Sequence, residues 1–163
     1  MKPANERVAN YLQQFDIAFD IRLLSAAVCT ARLAAEALDC EVGQIANSLI
    51  FREMSADGPA DRAVLIMCSG DRRVDLHEVR VQTGIELGKA DAEFVRSQTG
   101  FAIGGVPPVA HIRPLRCLLD TSLQRYAEIW SAAGTPESVF CMSPTQLQQI
   151  TGASWKDLSL APS

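Results

Sequence analysis

Val8, Tyr11, Leu12 and Phe15 recur at the three- and four-residue spacing of one helical face. That spacing predicts an amphipathic helix over residues 3–15, with Pro3 acceptable in its first turn. From Asp16 to Leu24 the pattern changes to alternation, the period of a half-buried strand. Thr30 then precedes an Ala- and Leu-rich stretch and predicts an N-capped helix through Asp39. A short helical turn over residues 42–46 leads into a strand over 48–52. Residues 53–61 are polar and contain Gly58 and Pro59, which predicts a hairpin connection and no domain boundary. Ala63–Cys68 is an unbroken apolar run, a buried strand closed by the turn Ser69-Gly70-Asp71.

The second half is punctuated by capping residues. Asp75 with Glu78 three positions on predicts a helix ending near Gly84, and Asp91 opens another whose C-terminal glycine is Gly100. Ser143, Pro144 and Gln146 combine an N-cap, an N1 proline and an N3 glutamine, and Gly152 ends that helix. Residues 116–119, 127–131 and 138–142 read as strands. Strands and helices mix without strict alternation, so the expected class is α+β with a mixed, largely antiparallel sheet.

Composition narrows the setting. The 163 residues suit one domain over 1–163, and 48% hydrophobic content with 21% charged residues describes a globular chain. No apolar run approaches the roughly 20 residues that span a bilayer, and the N-terminus lacks a signal-peptide core, so the expected setting is cytoplasmic, away from membrane. Five cysteines, at 29, 40, 68, 117 and 141, include no C-x-x-C pair, which argues against a disulfide framework or a zinc site. Cys68 and Cys117 sit in apolar runs as core thiols; Cys29 and Cys40 flank a helix and are better placed for access. The net charge of −4 argues against general nucleic-acid affinity. Contact with an RNA end needs only a local patch, for which Arg72, Arg73, Arg80, Lys89, Arg96, Arg113 and Arg116 are available; their other reading is a solvated surface.

The chemistry concentrates in Thr99–His111, where three glycines, two adjacent prolines and one of the two histidines share thirteen residues. Glycine allows close backbone approach and proline fixes φ, so this loop presents its amides and carbonyls in one shape. It matches neither a Walker A motif nor G-x-G-x-x-G. His111 can be drawn into a triad with Ser69 or Asp120, but no G-x-S-x-G elbow supports it. His77 reads as a residue of an exposed helix face.

Three segments in order carry a resemblance: Cys40–Phe51, with Gln44-Ile45-Ala46-Asn47-Ser48-Leu49; Ser69–Asp75; and the loop with Gly104-Gly105-Val106-Pro107-Pro108. Asp120–Arg125, Ala132–Gly134 and Ser143–Leu147 extend it. Together they resemble the YbaK/EbsC family, free-standing relatives of the editing domain of bacterial prolyl-tRNA synthetases. The resemblance implies a curved mixed sheet closing towards a barrel with surrounding helices. It also implies a trans-acting deacylase that cleaves the ester of mischarged tRNA, with tRNA for proline bearing a small non-cognate residue as the expected substrate. The implied partners are the acceptor end of the aminoacyl-tRNA and, as a further candidate, a prolyl-tRNA synthetase; no cofactor and no metal are implied.

By the same resemblance Asn47, Gly104 and Gly105 are the candidate catalytic residues. Ser48, Gly70, Asp71, Val106, Pro107, Pro108 and His111 are candidates for substrate binding. Asp71 has an ordinary reading as a turn residue, and His111 one as a structural histidine. One position departs from the family, which usually carries lysine where this chain has Asn47. Asparagine keeps a donor and an acceptor but loses the charge, and charge-assisted bonds are the stronger ones. Asn47 therefore opens three readings: an active site for a different acyl group, a cation supplied by Lys89 or Arg72, or a weak or lost activity, which leaves a non-catalytic binding module or decayed editing domain that binds aminoacyl-tRNA ends or a synthetase.

Overall fold

Residues 58–69 carry the centre of the fold. Val64 and Ile66 pack into one apolar cluster, Leu65 and Met67 into another, and all four are fully buried. A strand covered on both faces needs no polar alternation, which is why Ala63–Cys68 reads as one apolar run. The computed structural model describes residues 2–25, 30–55 and 57–161. Among them the helices are α1 (Pro3–Leu12), α2 (Ala31–Leu38), α3 (Leu76–Thr83), α4 (Ala92–Thr99) and α5 (Pro144–Thr151). The strands are β1 (Ile21–Leu23), β2 (Ala46–Ser55), β3 (Gly58–Ser69), β4 (Arg73–Val74), β5 (Glu86–Gly88), β6 (Arg116–Asp120), β7 (Ile129–Ala132), β8 (Ser138–Met142), β9 (Ser154–Lys156) and β10 (Ser159–Leu160). Single 3-10 turns stand at Val42–Gln44 and Thr121–Arg125.

The main sheet runs β5-β2-β3-β6-β9, antiparallel where β2 meets β5 and β3, and parallel from β3 through β6 to β9. A second sheet, β1-β8-β7, is antiparallel, and β10 pairs with β4. The class is α+β with mixed sheets. An isolated bridge between Ile45 and Trp130 brings the head of β2 against β7. The larger core lies between these two sheets and α1, with Phe101, Leu119, Phe140 and Leu147 at its centre. The smaller one, around Val64, Ile66 and Leu158, fills the opposite face of β3.

The capping rules locate the helices because caps are local. Thr30 Oγ1 accepts from Leu33 N, Asp75 from His77 and Glu78 N, and Asp91 from Phe94 N. Ser143 and Gln146 form the full capping box, and Gly84, Gly100 and Gly152 close their helices. Where long-range pairing decides, the pattern misleads. The alternation over 16–24 yields a strand only at Ile21–Leu23, the three residues that meet β8. Residues 53–61, read as a connection, are drawn mostly into the hairpin, where Met54 faces Pro59 and Ser55 faces Gly58. Backbone pairing with β3 and β5 overrides their polar composition. The short strands β4, β5, β9 and β10 carry no periodicity and exist through their partners.

Candidate functional site

A cavity of about 310 Å³ opens where the head of β2, the first turns of α2, the β7–β8 hairpin and the loop after α4 converge. Asn47, Ser48, Gly104 and Val106 line it together, although the chain separates the first pair widely from the second. Ala31, Ala34, Ala46 and Val139 give small apolar stretches of the remaining wall, and Thr30, Ser131 and Ser138 add hydroxyl-bearing residues to it. Trp130 joins the wall, with the Arg22 guanidinium 4.9 Å from its ring centroid. Among the described lining residues there is no Lys, Arg, Asp or Glu. Lys89 and Arg72 are thus not lining residues; Arg72 borders a separate depression with Asp120 and Arg125.

The loop is held by buried contacts. Residues 105–109 are buried, and Val106 and Val109 belong to the larger core. Arg7 of α1 spans its ends, with Nη1 donating to Gly100 O at 3.3 Å and Nη2 to Ala110 O at 3.4 Å. Ile112 N donates to Thr99 O, closing the neck. Gly104 has φ +89°, a conformation that side chains rarely adopt. Gly105 is needed for another reason: a Cβ there would lie 2.8 Å from Thr135 Cα and 3.0 Å from Gly134 O. The loop backbone therefore rests directly on the β7–β8 turn. That turn is pinned by the fully buried Asn5, whose Nδ2 donates to Ala133 O and Ser138 Oγ at 2.8 Å each. Gly105 N–H is committed to Ala102 O at 3.0 Å, whereas Gly104 and Val106 N–H donate no hydrogen bond within the described residues.

The other candidates stand outside the cavity. Gly70 packs against Ala31 and the Val42 carbonyl, and its N–H donates to Ile45 O at 2.8 Å, behind the wall that α2 and β2 form. Asp71 accepts two bonds from Arg125, at 2.7 and 3.1 Å, which hold its carboxyl below the usual range and tie the Ser69–Asp71 turn to Thr121–Arg125. Pro107 and Pro108 are buried. His111 Nε2 donates to Pro107 O at 2.7 Å, and His111 and Pro108 border a different depression with Tyr11 and Ile150. No triad forms, since Ser69 Oγ donates to Gly43 O and Asp120 accepts from Leu158 N and Ser159 Oγ.

Burial lowers the His111 pKa from its ordinary 6.5, more than the bond to Pro107 raises it. A group neutral when folded stabilises the fold fully above pH 6.5, and that stability is lost as pH falls through the lowered folded value. Melting curves from pH 8 to 5 should fall more steeply for the wild type than for His111→Gln; parallel curves would remove His111 from the loop's stability.

The thiol pKa values of the four described cysteines are all raised above the ordinary value. Burial pushes Cys68 and Cys117 up to about 12 and Cys141 up to about 11, and Cys40 is raised too. Cys29 lies outside the described residues. No group of three or more His, Cys, Asp or Glu placed to hold a metal ion is present among the described residues, and no described helix is long and apolar enough to cross a membrane.

Trp130, Ser131, Pro136 and Ser138 also line the cavity and were not singled out from the sequence. The β7 and β8 segments are legible there as strands, but nothing local says which of their residues meet β2.

The pattern of the aminoacyl-tRNA editing domain family matches residues 25–150. A solved structure described as a candidate trans-editing enzyme for prolyl-tRNA synthetase is 40% identical, with TM-score 0.87 over 99% of both chains. A structure from computational epitope grafting onto scaffold proteins is 38% identical, with TM-score 0.89 over 99% of this chain and 100% of that one. The uncharacterized protein YwhH of Bacillus subtilis (strain 168) is 28% identical over 152 residues, 93% of this chain and 94% of its own.

Proposed function

The chain belongs to the aminoacyl-tRNA editing domain family, and from that premise we propose that it is a trans-acting deacylase. Its substrate is the ester of a mischarged tRNA, tRNA for proline bearing a small non-cognate residue. The observation that carries this reading is the small cavity closed on one side by Asn47 and on the other by the Gly104–Val106 backbone. An aminoacyl ester is activated relative to an amide, so catalysis needs a positioned water and donors for the developing oxyanion. The Gly104 and Val106 amides belong to lining residues and donate no hydrogen bond within the described residues, so they are the donors we assign, and such a donor is worth about 3–4 kcal/mol. The neighbouring ribose hydroxyl supplies an internal acid or base. Asn47 holds the substrate end through its carboxamide. The acceptor end of the tRNA is the partner, and a prolyl-tRNA synthetase is a further candidate.

Labelled tRNAs carrying Ala, Ser, Cys, Thr and 2-aminobutyrate test the proposal. Wild-type protein should release at least one of these residues catalytically. Asn47→Ala should lower kcat/KM about tenfold or more, with an unchanged melting temperature because the Asn47 side chain makes no hydrogen bond within the described residues. Background release from the whole panel would reject a deacylase.

The Asn47 departure favours one other reading, a module that binds aminoacyl ends without turnover. That version predicts binding of a nonhydrolysable aminoacyl-adenosine analogue while hydrolysis stays at background. Asn47→Lys separates the two, since a large gain marks a decayed enzyme and a loss marks a site adapted to asparagine.

A further inference from the structure

Ser131 stands on β7 in the row Ile129, Ser131, Ala133 and faces Phe140 across the ladder, all turned towards the larger core. It is 1% exposed, and its Oγ has no hydrogen-bond partner among the described residues. Buried hydroxyls are nearly always paired, because leaving one unpaired forfeits the hydration it lost on folding. Ser131 is also a lining residue of the cavity.

The other hydroxyls of this wall are differently placed. Ser138 Oγ is committed: it accepts from Asn5 Nδ2 and Thr135 N and lies 2.7 Å from Thr135 Oγ1. Ser48 Oγ donates to Met67 Sδ at 3.3 Å, a weak acceptor. Among the described residues Ser131 alone combines full burial, a lining position and an unpaired hydroxyl.

Depth assigns what it would meet. Gly104 and Ile103 are exposed and Asn47 is half-buried, so they form the mouth, whereas Ser131 is buried within. An ester held at Gly104 and Asn47 sends its acyl side chain inward. The charged α-ammonium is a poor occupant of that depth, because no described lining residue carries a carboxylate to pair with it. A neutral hydroxyl suits both the unpaired Oγ and the uncharged wall around it.

We propose that Ser131 is a specificity-determining residue whose hydroxyl hydrogen-bonds a hydroxyl on the side chain of the bound acyl group, so that the site prefers seryl and threonyl esters to alanyl and 2-aminobutyryl ones. The inference rests on the editing reading. Wild type and Ser131→Ala are compared by kcat/KM on one tRNA charged with serine or alanine. The wild type should favour the seryl ester, and Ser131→Ala should lower seryl turnover about tenfold while changing alanyl turnover less than about twofold. Ser131→Thr, which restores a hydroxyl, should recover part of the preference. Equal losses on both esters, or a wild-type preference for alanine, would overturn the proposal and leave the hydroxyl to bound water.

A melting curve guards against misfolding of the variants. Calorimetry with nonhydrolysable seryl- and alanyl-adenosine analogues supplies a second readout on wild-type protein. Absent turnover with tighter seryl binding would sink the deacylase and keep the role of Ser131. Equal binding of the two analogues would overturn Ser131 alone, and no binding of either, together with background turnover, would overturn both.

Discussion

Gly105→Ala should reduce deacylation at least about a hundredfold, the scale of loss when reacting groups are misplaced by about an ångström. Its new Cβ would sit 2.8 Å from Thr135 Cα and 2.9 Å from Thr135 C, and backbone cannot swing aside as a side-chain tip can. The β7–β8 turn cannot retreat either. A Cβ at Gly134 would lie 2.7 Å from the Ala4 carbonyl, so α1 backs the turn at the same close approach, and Asn5 bonds it from within the core. The loop must therefore lift, carrying Gly104 and Val106 away from Asn47. Overpacking of this kind costs about 1–3 kcal/mol, so the melting temperature should fall as well. Gly104→Ala is the matched comparison. Its Cβ would meet only Pro136 atoms at 3.8 Å, which leaves the left-handed backbone as its whole penalty, about 1–2 kcal/mol. Turnover and melting measured on both variants should rank Gly105→Ala as the more severe. Wild-type turnover in Gly105→Ala would show that the packing of loop on turn does not position the chemistry.

Asp120→Ala should be the most destabilising change away from the cavity. The carboxylate is 1% exposed and sits where β6 ends, accepting from Ser122 N at 3.1 Å, Leu158 N at 2.7 Å and Ser159 Oγ at 2.7 Å. One side chain thus joins β6, the turn that follows it and the C-terminal segment pairing with β4. Alanine leaves two buried backbone donors and a hydroxyl unpaired, each costing about 1–3 kcal/mol, so a loss of about 3–5 kcal/mol is expected in denaturant melts. Asp120→Asn keeps one carbonyl acceptor and should lose about half as much. A loss below about 1 kcal/mol for alanine would mean that water replaces the carboxylate there.

Much of the fold is legible in the chain because its cues are local. Thr30, Asp75, Asp91 and Ser143 cap helices through bonds to residues two or three positions on, and such bonds form whatever the rest of the molecule does. The run at Ala63–Cys68 announces a strand buried on both faces. The loop from Thr99 to His111 announces itself through glycine and proline, and the Asn47 departure is a fact of one position.

Assembly is another matter. That Asn47 and Ser48 share a cavity with Gly104 and Val106, while Asp71 pairs with Arg125 elsewhere, depends on contacts between distant segments. Ser131 is the sharpest case, one serine in an ordinary strand until β7 meets the head of β2 and leaves its hydroxyl buried without a partner among the described residues. Caps, turns and buried strands follow from neighbours along the chain, whereas a cavity is the space left between elements, set by packing that no short stretch of residues contains.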